Sequence, residues 1–383
     1  MHKKINAILI PVLMAALLAA FIVMPARDFS ERENRYLAPA PALNLRTVTD
    51  GSFMEDIEEY VSDHFPFRDF WIGVNTRAAL LRGKTLINGV YFSADDYLIE
   101  DYESSGNMSK IAKAVNTFAE KVKGQAKVTF MAVPTSVVIN KDRLPAGTQS
   151  DADEQKADIE ELYSGLECFT VPLADTLSAS HYQSYYRLDH HWTTMAAQRG
   201  YEVYRRSCYS LWAALQSNTE EVANHPFESR EYGYELVSDS FRGTLFNKVG
   251  ECGLGSDSIY TPAGLDLEGV TCLDDSGREV PIFNYNKLFT ADQYAYFLSG
   301  NHPVLTITNS YNEGAPDILV IKDSYANCMI PFMTLDYHTI TVIDPRYYGD
   351  SISLYVTENG IEEVLFVYNM NTLGTDLGIR RVQ

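Results

Sequence analysis

Positive charge is scarce in this sequence. Lys and Arg number 31 against 51 Asp and Glu, a formal charge of −20 over 383 residues. Nucleic-acid binding rests on phosphate neutralisation by Lys and Arg, so that class of partner is excluded. Broad adhesion to anionic lipid is disfavoured on the same ground. Cysteine is also sparse. Cys168, Cys208, Cys252, Cys272 and Cys328 form no C-x-x-C pair, which argues against a zinc ribbon or a thioredoxin-like site. Cys252 and Cys272 lie in a turn-rich stretch where a disulfide is feasible in an oxidising compartment. Repeats of useful period are lacking, and so are low-complexity tracts beyond one short Pro/Ala-rich stretch. Apolar residues, by contrast, make up 46% of the chain, enough for a large core and against global disorder. At roughly 100–200 residues per domain, the length fits one large domain with an insertion, or two domains. Aromatics are plentiful, with 25 Tyr and 18 Phe. Tyr suits sugar rings, but it more often serves ordinary cores and interfaces.

The N-terminus points to the compartment. Lys3 and Lys4 precede an uncharged apolar run over residues 7–24, and Arg27 follows. At helical rise this run covers roughly 27 Å, close to a thin hydrocarbon core. The basic flank predicts the N-terminus inside. We expect residues 1–26 to be an uncleaved signal anchor. The alternative is a secretory signal peptide, for which Val23-Met24-Pro25-Ala26 offers a poor cleavage site and Ala19-Ala20 a weaker one. Either reading places the remainder outside the cytoplasm. Residues 27–47 read as a linker, and residues 48–383 as the main domain.

Within that domain, residues 51–82 read as helix broken near Pro66, and GVYFSADDYLIE (89–100) as a hairpin turning at Ala94, Asp95 and Asp96. Five β-rich apolar runs follow: KVTFMAV (127–133), CFTVP (168–172), DILVIK (317–322), TITVID (339–344) and EVLFVYN (363–369). Helix-like stretches at 153–165, 193–214 and 324–334 alternate with them. Continuous apolar strands between helices predict a parallel sheet covered on both faces, an α/β fold. Residues at about 215–315, rich in Gly, Asp, Ser and Tyr, break the rhythm and read as a β-rich insertion.

The residues that carry chemistry lie in two stretches. In Tyr185-Tyr186-Arg187-Leu188-Asp189-His190-His191-Trp192-Thr193-Thr194 a helix starts at Thr193, whose hydroxyl can cap it. In an extended segment, residues i and i+2 point to one side, which sets Asp189 beside His191 and turns His190 away. A carboxylate on one imidazole nitrogen frees the other as a base. DILVIKDSYANCM supplies a nucleophile at Ser324, where a buried strand ends and a helix opens. A serine at such a turn is held at the carboxyl edge of the sheet, with its backbone N–H where an oxyanion would form. The plainer readings are a helix cap at Asp323-Ser324 and a structural Asp–His hydrogen bond. His181, His225, His302 and His338 are scattered and supply no third metal ligand at helpful spacing.

Asp189-His190-His191-Trp192 followed by Thr resembles the signature of the DHHW-motif proteins, which are similar to the SGNH-hydrolase-like domains of bacterial alginate O-acetyltransferases. FSERENRYLA (29–38), DHFPFRDFW (63–71), NGVYFSADDYLIE (88–100), FRGTLFNKVG (241–250) and VIKDSYAN (320–327) agree with that pattern. The resemblance implies an α/β/α sandwich with a circularly permuted SGNH-like sheet. The runs at 317, 339 and 363 would be strands one to three, and those at 127 and 168 strands four and five. It also implies that Ser324 is the nucleophile, His191 the base and Asp189 its orienting group. Asn369 and Gly349 would contribute to the oxyanion hole. His190, Trp192, Asp323 and Lys322 would surround the site, with Lys322 standing where SGNH proteins often have Gly. The implied activity is O-acetyl transfer to an extracellular polysaccharide, with a membrane-bound O-acyltransferase as acetyl donor. A serine triad needs no metal or organic cofactor. An O-acetyl esterase and a non-enzymatic polysaccharide-binding or assembly protein are the alternatives.

Overall fold

A computed structural model of the chain describes residues 2–30, 35–216 and 223–382. Residues 31–34 of the expected linker and 217–222 of the expected insertion lie outside the described residues. The chain divides into two compact units. The first comprises residues 1–88 and 246–254, so residues 48–88 group with the N-terminal helix. It contains α1 (His2–Val23), α2 (Ser52–His64) and α3 (Arg68–Leu81). The apolar run expected as an anchor falls in α1, which carries Pro11; the side chains of residues 7–10 lie outside the described set. Among the described residues, no helix is long and apolar enough to cross a membrane. Helix α3 passes closely over the 246–254 segment: a Cβ on Gly73 would meet Glu251 O at 2.6 Å, so only glycine fits.

The second unit, residues 89–245 and 255–383, holds the sheet. It opens with the expected hairpin, β1 (Val90–Phe92) and β2 (Leu98–Glu100), paired antiparallel. Asp95 and Asp96 take positive φ in its turn (59° and 61°), a conformation Asp tolerates better than most residues. Then come α4 (Met108–Lys121), β3 (Lys127–Val133), α5 (Ser150–Gly165), β4 (Phe169–Thr170) and α6 (Thr194–Leu215). The insertion supplies β5 (Gly233–Phe241), β6 (Asp257–Ala263), β7 (Val270–Asp274) and β8 (Val304–Asn309). The chain ends with β9 (Ile318–Lys322), β10 (Thr339–Ile343), α7 (Ile352–Glu358), β11 (Glu363–Asn369) and α8 (Met370–Thr375).

The central sheet has the order β7-β8-β10-β9-β11-β3-β4. From β10 to β4 every pairing is parallel. Numbered as the permuted reading numbers them, these five strands lie second, first, third, fourth, fifth, a doubly wound order. The sheet is nonetheless mixed. Strands β7 and β8 from the insertion join it antiparallel, so part of the insertion extends the sheet, while β5 and β6 form a separate pair. All five residues of β9 are buried. Alternate residues face opposite sides, so helices or loops cover both faces. Helix α4 turns Met108, Ile111, Ala112, Val115 and Phe118 inward at helical spacing. Phe118 meets Phe366 edge-on, and Phe130 stacks on the same ring. Cys272, on β7, is a buried thiol.

The switch of winding direction falls between β9 and β11. Open sheets of this kind bind ligands at the carboxyl ends of such a strand pair. Ser324 follows β9 and Asn369 ends β11, so the topology brings this region into focus.

Candidate active site

The Asp-His-His-Trp segment is a turn. Tyr185 and Trp192 form an antiparallel bridge, and Thr193 N donates to Ser184 O at 3.0 Å. Thr193 caps α6 by accepting from Ala196 N. Asp189 Oδ1 accepts from the backbone N of His191 (2.9 Å) and lies 2.6 Å from its Nδ1. The partnership of Asp189 with His191 thus arises from a short-range turn, the kind Asp favours, and not from strand alternation. One consequence corrects the expectation for His190. Its ring lies 3.9 Å from that of His191 between centroids, and its Nδ1 is 3.7 Å from Asp189 Oδ2. Both histidines therefore sit on the carboxylate side.

Ser324 is reached from the other end of the fold. Strand β9 ends at Lys322, and Asp323 caps the following turn by accepting from Tyr325 N at 2.9 Å. The expected helix is a 3-10 turn, Ser324–Cys328, followed by a short helical piece, Ile330–Met333. Between residues 318 and 334, Ser324 alone is not buried. Its Oγ lies 2.8 Å from His191 Nε2. Two bonds stitch the segments together: Trp192 Nε1 donates to Tyr325 O at 2.7 Å, and the Tyr325 hydroxyl donates to His190 O.

Three neighbours were not legible in the sequence. Tyr294, from the insertion, stacks on His191 with centroids 3.7 Å apart and planes within 10°. Its hydroxyl lies 3.3 Å from Ser324 O. Thr244 N donates to Asp189 Oδ2 at 2.8 Å, and Gly243 leaves room for that carboxylate. The FRGTLFNKVG stretch marked the place of the last two without a role; nothing distinguished Tyr294 among 25 tyrosines.

Electrostatics favour a neutral imidazole against an ionised carboxylate. Burial, then the neighbouring His190, push His191 down to about 4 against the pull of Asp189. Burial alone would raise Asp189, but His191 and His190 outweigh it and hold the carboxyl well below the usual range.

Three expected site residues do otherwise than expected. Asn369 reaches the region, but its amide Nδ2 donates to Asp323 Oδ2 (2.6 Å) and Thr372 Oγ1 (2.7 Å). Both amide hydrogens are engaged, so Asn369 is a cap and a brace, not a free oxyanion donor. Gly349 is exposed, with open space around its Cα, and builds no cradle. Lys322 is fully buried and turns to Asn301 Oδ1 (2.9 Å) and Asp344 (3.6 Å) instead of facing Ser324. Asp323 is buried, and burial pushes its carboxyl up to about 6. Among the described residues no acceptor meets the Ser324 backbone N–H.

Asp323 holds β9 and β11 together at the site, because Asn369 N also donates to it at 2.8 Å. Asp323→Ala leaves three buried donors without an acceptor. A loss of about 2–4 kcal/mol is expected in urea denaturation, with Asp323→Asn much milder because it keeps an acceptor.

Asp189, His190 and His191 also bring three possible metal-binding atoms within 4.8 Å of one another, the third supplied by the motif itself. Asp189 and His191 already direct theirs at each other.

A family profile described as DHHW protein matches residues 88–343. No curated protein matches the chain by sequence. Solved structures do. A DHHW family protein from Eubacterium siraeum is 21% identical, over 76% of this chain and 95% of that one, with a TM-score of 0.59. Bacillus cereus PatB1, solved with a sulfonyl adduct, is 18% identical over 77% and 98%, with a TM-score of 0.61. The O-acetyltransferase domain of Pseudomonas putida AlgJ is 13% identical over 75% and 93%, with a TM-score of 0.45. With the profile spanning two thirds of its length and the motif standing at Asp189, His190, His191 and Trp192, this chain belongs to the DHHW protein family.

Proposed function

We propose that the chain is a serine-dependent O-acyltransferase that moves acetyl groups onto hydroxyls of an extracellular polysaccharide. The observation that carries this reading is the 2.8 Å contact of Ser324 Oγ with His191 Nε2, whose Nδ1 rests on Asp189. Ser324 Oγ attacks the acyl carbonyl of the donor while His191 Nε2 takes its proton. Asp189 holds the imidazole in the required tautomer, and the Ser324 N–H faces the oxyanion. The donor's alcohol departs with the proton from His191, leaving an acyl-serine. An acceptor hydroxyl then gives its proton to His191 and attacks, and the new ester leaves as Ser324 regains the proton. Water in place of the sugar makes the same site an esterase.

A fluorosulfonyl probe should label Ser324, and an acetyl ester with an oligosaccharide should yield an O-acetylated sugar. Acetate without acetylated sugar favours the esterase; no labelling favours a binding protein. A membrane-bound O-acyltransferase remains our proposed donor. Helix α1 presents Leu13, Met14, Leu18 and Ile22 outward, which supports a role for it as the N-terminal anchor of an extracytoplasmic enzyme. Release of the full-length protein from membranes by alkaline carbonate would refute the anchor.

The base must be neutral to act, and His191 sits at about 4, well under its ordinary 6.5. The acid limb of kcat/KM should therefore fall near pH 4–5, as His191 takes its proton in the free enzyme. The same depression removes stability as pH drops from 6.5 through about 4, because the unfolded chain binds that proton first. A pH–rate profile with a limb near 6.5 would contradict the buried, neutral base.

A further inference from the structure

Helix α3 is amphipathic with its faces reversed. Its small residues Gly73, Thr76 and Ala79 are buried, and Gly73 lets the helix lie close against Glu251. Its large apolar residues point outward. Phe70, Trp71 and Val74 are 62%, 37% and 39% exposed, and Leu81 extends the line at 89%. Phe67, just before the helix, is 64% exposed. Spacings of three, four and seven residues put these side chains on one face. An ordinary surface helix turns such a face to the core. Phe67 also takes φ 58° and ψ 34°, a region that bulky residues rarely enter. The strain presents its ring outward instead of burying it, and strain of this kind is found where the presented group has a use. Contiguous apolar surface on this scale marks a contact with a protein or a membrane.

The chain beside the stripe decides between the two. A cavity of about 440 Å³ is lined by Phe21, Met24 and Arg27 and by Phe65, Phe67 and Phe70. Phe21, in the last turn of α1, meets Tyr60 edge-on with centroids 6.0 Å apart, and His64 Nε2 lies 3.1 Å from Arg27 O. A chain whose α1 spans the bilayer leaves it at about Met24–Arg27. Phe67 and Phe70 then stand at headgroup depth, where aromatic rings are enriched. The local charge agrees. Between residues 65 and 82 the chain carries Arg68, Arg77 and Arg82 against Asp69. The acids Glu55, Asp56, Glu58 and Glu59 are confined to α2. A Phe/Trp/Leu face flanked by arginines is the composition of helices that lie in a membrane interface.

Resting on the anchor reading above, we propose that α3 is an interfacial helix. Phe67, Phe70, Trp71 and Val74 insert into the extracytoplasmic leaflet beside the point where α1 leaves it, and the arginines meet lipid phosphates.

The test uses the full-length chain in nanodiscs of phosphatidylcholine and phosphatidylglycerol, with or without bromine on the acyl chains near the headgroup. Bromine quenches tryptophan only at close range. Trp71 emission is read as the difference between the parent and Trp71→Phe, in which Trp192 and Trp212 cancel. That emission should fall by about half or more in brominated discs. Phe70→Glu with Val74→Glu, read by the same difference, should relieve most of the quenching while α1 keeps the chain in the disc. Both positions are exposed, so thermal unfolding of the double variant should match the parent. Trp71 emission that is equal in the two lipids overturns the proposal and leaves the stripe to a protein partner or a second copy. Quenching that the double substitution does not relieve also overturns it, because nearness to α1 alone then suffices. A chain that does not enter the discs overturns the anchor reading itself, and the interfacial helix with it.

Discussion

Ser324→Ala should abolish probe labelling and reduce acyl transfer by about 10³–10⁶-fold, while the fold persists. The two halves of this expectation have separate causes. Activity falls because nucleophile and base act as a unit, and removing either leaves only binding and oxyanion stabilisation. Stability changes little because Ser324 is the one partly exposed residue in an otherwise buried segment, and among the described residues its Oγ bonds to His191 alone. The loss of that single hydrogen bond is worth about 1 kcal/mol. Its neighbours Asp323 and Tyr325, which do hold the turn in place, are untouched. His191→Ala should match the serine variant in rate. His190→Ala should be milder, since His190 lies against the imidazole with its ring tilted by 38° and meets Asp189 at 3.7 Å, well beyond the 2.6 Å of His191. Rates with a small acetyl ester, together with thermal unfolding, check both halves. Equal losses at the two histidines would reverse their assignment.

The five parallel strands were legible because each is a short apolar run that the sheet buries on both faces, and the permuted resemblance assigned each run its strand number but not its place in the sheet. Ser324 stood out as a polar residue where such a run stops. Asp189 and His191 were found for a reason that turned out to be incomplete. Alternation in an extended segment gives the right pair, yet the segment turns, and His190 consequently joins them. Periodicity cannot register an Asp that accepts from the backbone two residues on. The antiparallel strands β7 and β8 were hidden for another reason. VTCLD and VLTITN are short and alternating, and their place at the sheet edge depends on pairing with a strand far along the chain. Asn369 shows a third limit. Its position at the end of β11 is readable, but whether its amide is free depends on Asp323 and Thr372, which meet it only in the folded chain.

Gly243→Ala is expected to abolish the proposed acyl transfer without replacing Ser324, His191 or Asp189. A Cβ at this position would lie 2.1 Å from Asp189 Oδ2, 2.2 Å from its Cβ and 2.4 Å from its Cγ. Real Cβ atoms do not approach so closely, so something must move. Asp189 has little freedom to do so. It is 2% exposed, its Oδ1 is held by the backbone and ring of His191, and its Oδ2 by Thr244 N, one residue from the substitution. Moving the carboxylate frees the imidazole to change tautomer; moving residues 243 and 244 removes a donor that keeps the carboxylate ionised. Either path should lower transfer by about 10²–10⁴-fold, approaching the loss known for replacing a triad aspartate by asparagine, and should reduce stability by about 1–3 kcal/mol through overpacking. Gly349→Ala is the matched control. Its Cβ would enter open space, so activity and unfolding should stay near those of the parent chain. Probe-labelling rates and denaturation curves of the two variants decide the matter. A Gly243→Ala protein that labels at the parental rate would mean that this segment yields and that the clamp on Asp189 is not what keeps His191 a base.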